Sequence, residues 1–318
     1  MPENNRQITA TDDGPQWLTE RRKGIGGTDT VVLMGAGTYQ DETPYFVWLK
    51  KVEGYNIPDN PAMERGRMME PLVVDKYRQE SGNTLMETGL WAHKDHPEII
   101  GSPDRLVVDE EGRPVGGFEA KTTLSRTART WDGLPARFEW QARHYMALMD
   151  VNWWDVGALV IDTWEMHYWR VERDEAKERA LIAAGTEFWR TYVEPRIPPE
   201  PGEVMSPVEV ATRYRVASQN AVDLDAFSPE GERVAALLAE RSELAAMVKE
   251  AKSRQEEVDT ALKAAAGESE EVLLDGVRAY SWRPQERASL DVKRLRKDHP
   301  ELVDEYTRQS EFRVLRVG

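Results

Sequence analysis

Asp104, Glu119 and Lys121 are the residues of this chain whose types and spacing best suit chemistry. Asp104 stands in Ser102-Pro103-Asp104, and Glu119 and Lys121 stand in Phe118-Glu119-Ala120-Lys121, with a hairpin pattern between them. Val107 and Val108 end one extended run, Asp109-Glu110-Glu111-Gly112-Arg113 supplies a turn, and Val115 to Lys121 forms the next run. Side chains two apart on a strand share a face, so Glu119 and Lys121 point the same way. If Asp104 opens the first strand, its carboxylate comes alongside them. Two carboxylates and an ammonium are poor core material, because burying unpaired charge is costly. They make sense around a divalent cation: Mg2+ takes carboxylate oxygens and keeps waters and a substrate phosphate in its shell. Taken alone, the triplet equally suits a surface hairpin with an ion-paired face.

Further motifs stand around the triplet. Trp17-Leu18-Thr19-Glu20-Arg21 leads into Gly24-Ile25-Gly26-Gly27-Thr28-Asp29; Arg65-Gly66-Arg67-Met68-Met69-Glu70-Pro71 follows; and Gln141 with Tyr145 forms a Q-x-x-x-Y after the second run. In this order, over roughly residues 15–195, the set resembles the YqaJ/lambda-exonuclease branch of the PD-(D/E)xK nucleases. A lone Asp with a downstream Glu-x-Lys is a weak signal, whereas the ordered set is specific.

The resemblance implies a mixed α/β (α+β) fold, a restriction-endonuclease-like core in which a central mixed β-sheet is flanked by helices. It implies that Asp104 is the central bridging carboxylate, that Glu119 and the Ala120 carbonyl join it on the same ion, and that Glu70 serves a second ion or its water shell. Carboxylates that close raise one another's pKa unless a cation lies between them. Lys121 is cast as the group that positions the attacking water and stabilises charge on the phosphate, or as a base if a metal lowers its pKa. Arg21 and Thr28 fall where family members hold the 5′-terminal phosphate. A guanidinium fork, a hydroxyl and glycine amides suit an anion, and Thr28 keeps the hydroxyl of the usual Ser. Gln141 and Tyr145 share a helix face; the resemblance places them beside the metal site and the DNA backbone, and a core-edge role suits the pair equally.

Composition bounds these readings. The 318 residues are 31% charged and 40% hydrophobic, a globular balance. There is no apolar run of eighteen and no signal-peptide pattern at Met1–Thr11, so a soluble intracellular protein with no membrane partner is expected, and the resemblance implies the cytoplasm of a bacterial or phage-infected cell. The absence of cysteine removes disulfides, thiol catalysis and the cysteine-held iron–sulfur cluster of several RecB-like relatives. A net charge of −15 argues against a broadly basic DNA surface. Lys121, Arg126, Arg129, Arg137 and Arg143 nevertheless cluster after the second run, and a protein threading DNA through a channel needs positive charge only inside. The five histidines show no metal-ligand spacing. Most of the eleven tryptophans read as core, and Trp131 is the one candidate for touching a base.

The elements that must position these residues are legible from periodicity. A helix is expected over Ala62–Glu80, bent or bounded at Pro71, and another over Ala136–Met149. Strands are expected over Val156–Ile161 and Met166–Val171, followed by a helix capped by Asp174 and running to Tyr192. Four prolines between Pro195 and Pro201 mark the expected domain boundary. The organisation expected is a flexible stretch over 1–14, a nuclease domain over 15–200, and a helical plus β module for interaction or oligomerisation over 201–318. In that module a long helix starts at Ser228-Pro229, Asp275-Gly276 turns a hairpin, a helix covers Leu290–Gln309 and a strand covers Phe312–Val317.

By resemblance, the expected activity is that of a Mg2+-dependent exonuclease, with Mn2+ as a substitute, acting 5′ to 3′ on double-stranded DNA ends. It leaves 3′ tails for phage-type recombination with a single-strand annealing protein, and works as a homo-oligomeric, trimeric ring. A related PD-(D/E)xK endonuclease and a catalytically weak DNA-end scaffold are the alternatives.

Overall fold

Alternating apolar side chains and the turn at Asp109–Arg113 set the two strands that organise the molecule. The structure is a computed structural model, and it describes residues 5–9, 14–56, 59–202, 205–217, 221–286, 288–308 and 313–317. The chain divides into two units, Met1–Arg213 and Tyr214–Gly318.

In the first unit the strands are β1 (Arg6–Gln7), β2 (Thr84–Met86), β3 (Trp91–Ala92), β4 (Ile100–Gly101), β5 (Arg105–Val108), β6 (Pro114–Thr123), β7 (Trp153–Val160) and β8 (Glu165–Glu172). Its helices are α1 (Gly14–Arg21), α2 (Gly27–Leu33), α3 (Pro44–Val52), α4 (Pro61–Ser81), α5 (Ser125–Ala128), α6 (Ala136–Met149), α7 (Glu175–Phe188, continuing as a π-helical turn to Val193) and α8 (Pro207–Arg213). The central sheet runs β2-β5-β6-β7-β8. It is mixed: β6 and β7 are parallel, joined through α5 and α6, and every other pairing is antiparallel. This is the expected mixed α/β architecture with helices on both faces.

The two faces carry different cores. On one, α4 lays Val73, Val74 and Tyr77 on Val107, Phe118 and Leu159, and Tyr77 stacks on Phe118 at 3.9 Å between centroids. On the other, α6 lays Ala142, Tyr145 and Met146 on Leu106, Trp154 and Val156. Gly117 makes room for this face: a Cβ there would fall 2.2 Å from the Trp154 ring. Beyond α6, the helices α2, α3 and α7 close a further core around Ile25, Phe46, Ile99 and Phe188.

Several expectations are corrected. Helix α4 runs unbroken through Pro71. An interior proline costs about 3 kcal/mol, and burying Val73, Val74 and Tyr77 at about 1.5–3 kcal/mol each offsets it. Within the stretch expected to be flexible, Arg6–Gln7 pair with Trp91–Ala92, Ile8 N–H donates to the Leu90 carbonyl at 2.7 Å, and the Asn5 amide donates to the Leu148 carbonyl. The open edge of β3 supplies the strand partners, and the last turn of α6 supplies the Leu148 carbonyl. Residues 1–4 and 10–13 lie outside the described residues.

The second unit holds α9 (Pro229–Ala266), a hairpin of β9 (Glu271–Leu274) and β10 (Val277–Ser281), α10 (Val292–Asp298) and α11 (Pro300–Tyr306). The Ser228 hydroxyl caps α9 by accepting from Gly231 N–H at 3.1 Å, and Tyr280 ties the hairpin to the Leu262 carbonyl at 2.8 Å. The helix expected over Leu290–Gln309 is two helices broken at His299, where Pro300 lacks the N–H needed to continue and opens the next. Residues 313–317 form no strand. Gln309 and Phe312 lie outside the described residues.

Candidate active site

The β5–β6 register builds the site. Arg105 pairs opposite Phe118, so Asp104, one residue earlier, lies across from Glu119. The Ala120 N–H donates to Asp104 Oδ2 at 2.8 Å. An extended residue directs its N–H and C=O to the same side, so the Ala120 carbonyl faces Asp104 as well, past the end of β5. Lys121 Nζ donates to Glu119 Oε1 at 2.5 Å. The three expected residues are thus brought together.

Glu119 is 1% exposed, and its Oε2 is buried without a hydrogen-bond partner. Burial, then the Asp104 carboxylate, push its carboxyl up to about 8 against the pull of Lys121. Burial disfavours the charge on Lys121, but the Glu119 and Asp104 carboxylates outweigh it and hold the ammonium above its usual value. The lowering expected beside a metal is not what these carboxylates produce by themselves. An orphaned carboxylate oxygen beside a second carboxylate fits a hard divalent cation, and Asp104, Glu119 and the Ala120 carbonyl are the oxygens that would hold it.

Glu70 is ion-paired. Arg105 Nη1 lies 3.3 Å from Glu70 Oε1, and Arg105 also reaches Glu87 at 3.5 Å. The Glu70 charge also raises the Glu119 pKa. Among the described residues, no three His, Asp or Glu side chains gather closely enough to surround one metal ion.

Arg21 and Thr28 meet at 3.5 Å between Nη2 and Oγ1. The Arg21 guanidinium lies 4.8 Å from the Trp17 ring, and Trp17 is fixed by its indole N–H donating to Ser102 Oγ at 2.8 Å. The Gly26 amide, expected to face an anion, donates instead to Asp29 Oδ2 at 3.1 Å. Asp29 is buried between Lys50 at 2.6 Å and Lys51 at 2.7 Å. Burial opposes its charge, but the two ammonium groups outweigh burial and hold the carboxyl far below the usual range. Lys51, pulled down to about 8 by burial against Asp29, donates to the Arg21 carbonyl at 3.1 Å. Asp29, Lys50 and Lys51 thus fix the position of the Arg21 backbone.

Gly27 joins this corner to α6. A Cβ there would stand 3.2 Å from Gln141 Cγ and from the Tyr145 ring. Gln141 donates to the Tyr145 hydroxyl at 3.2 Å. Burial, then the Glu119 and Asp104 charges, hold the Tyr145 phenol well above its usual value. All eight expected side chains therefore lie in one neighbourhood. His144 is structural: it is buried between Thr30 Oγ1 and the Ile100 carbonyl, each at 2.8 Å.

Sequence reasoning missed Arg105, Lys50 and Lys51 and gave Asp29 no role. Arg105 had a signal, being next to Asp104. The lysines had none, because their partner is 21 or more residues away. The basic cluster is partly neutralised, with Arg137 on Glu42 at 2.8 Å and Arg143 on Glu139 at 2.8 Å.

A mixed sheet in an α/β core thus carries an Asp, a Glu and a Lys together with a guanidinium–hydroxyl pair. Residues 16–152, which hold every one of these side chains, match the model of the YqaJ-like viral recombinase domain. It is 24% identical over 306 residues to the uncharacterized protein YqaJ of Bacillus subtilis strain 168, covering 94% of this chain and 92% of that protein. Among solved structures it is similar to the alkaline exonuclease LHK-Exo of Laribacter hongkongensis, at 23% identity and TM-score 0.48, covering 57% of this chain and 93% of that one. It is also similar to a phage-related exonuclease of Haemophilus somnus 129PT, at 12% identity and TM-score 0.41, covering 54% and 96%.

Proposed function

We propose that this chain is a metal-dependent deoxyribonuclease that degrades linear duplex DNA from its 5′ ends. The observation that carries the reading is the buried, orphaned Glu119 carboxylate beside Asp104 and Lys121. Asp104, Glu119 and the Ala120 carbonyl would hold Mg2+, which would supply a Lewis acid and an activated water. Lys121, kept protonated by its carboxylate neighbours, orients the attacking water and offsets charge growing on the phosphate. Gln141 and Tyr145 present an amide and a phenol to the substrate backbone. Arg21 and Thr28 take the terminal 5′-phosphate, which favours a 5′-to-3′ direction. The YqaJ-like domain supports a role in phage-type recombination, in which the 3′ tails go to a single-strand annealing protein. A trimeric ring around the DNA would supply processivity.

The test is digestion of a 5′-phosphorylated linear duplex in Mg2+, labelled separately at each end, with a closed circle as control. Release of the 5′ label first, an intact circle and no cleavage in a chelator are expected. Cutting of the circle would make the protein an endonuclease, and inertness towards every DNA would overturn the reading.

A further inference from the structure

The face of the sheet that bears Glu119 and Lys121 continues beyond them. The β6–β7 register sets Glu119 beside Val156 and Lys121 beside Ala158. The β7–β8 register sets Val156 beside Trp169 and Ala158 beside His167. Strands lie about 4.8 Å apart, so Trp169 and His167 stand on the same face two strands, or ~10 Å, from Glu119 and Lys121.

Aromatic rings bridge that distance without a gap. Lys121 Nζ lies 5.6 Å from the Phe138 ring. Phe138 lies 5.8 Å from Trp131, and Trp131 lies 5.9 Å from Trp169. Trp169 is stacked on His167 at 5.9 Å and 14°. None of the four is buried: Phe138, Trp131 and Trp169 are half-exposed and His167 is exposed. Trp154, one strand away on the same face, shows how the fold treats an aromatic it uses as core, at 0% exposure. Short helix α5 leads into this row, pinned at its start by Asp162, whose Oδ1 accepts from Ser125 N–H at 2.8 Å. Its exposed Arg126 and the adjacent exposed Arg129 make no salt bridge among the described residues. Trp131 N–H closes the turn on the Ala128 carbonyl at 3.1 Å.

We propose that Phe138, Trp131, Trp169 and His167 form a stacking shelf for the unpaired bases of the DNA strand whose backbone passes Lys121. The inference rests on the nuclease reading and names where the bases go once they leave the duplex. Every base offers a π-face, so a row of rings holds any sequence. The shelf begins at the ammonium that faces the phosphate and runs to the sheet edge, and Arg126 and Arg129 supply positive charge for the backbone beside it. A partner protein's apolar side chain is the competing occupant, but it would have no use for two exposed guanidinium groups at the entry.

The test compares two 5′-phosphorylated duplexes of one sequence, identical except that the nucleotides next to the cleaved phosphate either keep their bases or are abasic. Full-length wild-type protein in Mg2+ is expected to show kcat/KM roughly tenfold lower on the abasic substrate, as stacking on one ring implies. Trp131→Leu should lose about that factor on the normal substrate and nothing on the abasic one, with Trp131→Phe retaining the wild-type pattern. Equal loss on both substrates would reduce Trp131 to a structural role, and an indifferent wild type would overturn the shelf even if the variant fails to fold. Quenching of tryptophan fluorescence by oligothymidylate without divalent metal, and not by an abasic oligomer of equal length, reads the shelf independently of cleavage. A protein that cuts no DNA but shows that quenching would lose the nuclease reading and keep the shelf.

Discussion

Two buried carboxylates stand on neighbouring strands of one sheet and meet opposite fates. Asp155, on the α4 face, is 8% exposed and fully engaged: Arg170 donates to its two oxygens at 2.7 and 2.8 Å, and the Tyr77 hydroxyl donates at 2.7 Å. Glu119, on the α6 face, has one oxygen on Lys121 and the other on nothing. Buried polar groups are normally satisfied, so the two side chains separate a carboxylate that holds the fold from one the fold leaves waiting for a ligand. Their neighbours follow suit. Asn83 donates to the Tyr77 hydroxyl at 2.8 Å, extending the Asp155 network, whereas the neighbours of Glu119 include a second carboxylate that drives its pKa upward.

The largest expected effect breaks the comparison at its centre. Glu119→Gln should lower cleavage about a thousandfold, as loss of a group that stabilises transition-state charge does, while leaving the melting temperature unchanged or higher. Asp155→Asn should do the reverse, retaining activity per folded molecule and costing about 2 kcal/mol, a figure discounted for the partial exposure of Arg170. Cleavage and thermal unfolding of both variants check this, and a Glu119→Gln protein that cuts normally would remove the site.

A third buried titratable group sharpens the comparison. The Ile100 carbonyl can only accept, so His144 Nε2 carries its proton and Nδ1 accepts from Thr30. The imidazole is thus satisfied in its neutral form, and burial lowers its pKa from 6.5 to about 4. The unfolded chain therefore takes up this proton first as the medium is acidified. The contribution of His144 is complete above pH 6.5 and is lost as pH falls towards 4, by ~3 kcal/mol. Unfolding by denaturant across that window should show the loss, and His144→Gln should flatten it. An unchanged slope in the variant would assign the acid sensitivity elsewhere.

If Glu119 waits for a cation, Mg2+ should stabilise the folded protein by about 2.7 kcal/mol at a hundred times its dissociation constant. Glu119→Gln should lose most of that gain and Asp155→Asn none of it. Equal Mg2+ stabilisation of all three proteins, followed by thermal melts, would place the cation away from Glu119. Smaller again, Arg21→Ala should remove about tenfold of a preference for 5′-phosphorylated over 5′-hydroxyl ends, the scale of one charge-assisted contact. A variant that keeps the full preference would release Arg21 from that role.

What the sequence made legible was local. The carboxylates and Lys121 follow from strand alternation and one turn, and α4 and α6 follow from apolar spacing and capping. The break at Pro300 is equally visible in the sequence as a proline. What stayed hidden was set by distant partners. Glu70 could not be seen to turn towards Arg105 without knowing that α4 lies across β5. Lys51 reads as an ordinary surface lysine until Asp29 is folded against it. Pro71 looked like a boundary because the packing that carries α4 through it is tertiary.

The smallest expected effect concerns the second unit. Helix α8, past the proline run, belongs to the first: Arg213 lies 3.9 Å over the Tyr45 ring and bonds Glu209 at 2.9 Å, so a truncation should end after Arg213 rather than at Pro201. Such a protein should keep Mg2+-dependent cleavage of short duplexes and unfold within about 0.5 kcal/mol of the first unit in the full chain, since Glu119, Asp155 and all their partners are retained. Any change should appear in assembly state, where α9 presents Leu237, Leu244 and Val248 at 53–54% exposure along a stripe suited to a helical partner. Sedimentation of the two proteins, with cleavage of short and long duplexes, separates these outcomes. A truncated protein that is insoluble or inactive would mean that the orphaned Glu119 needs the second unit to be held as it is. The contrast between the two carboxylates would then belong to the whole chain and not to the sheet.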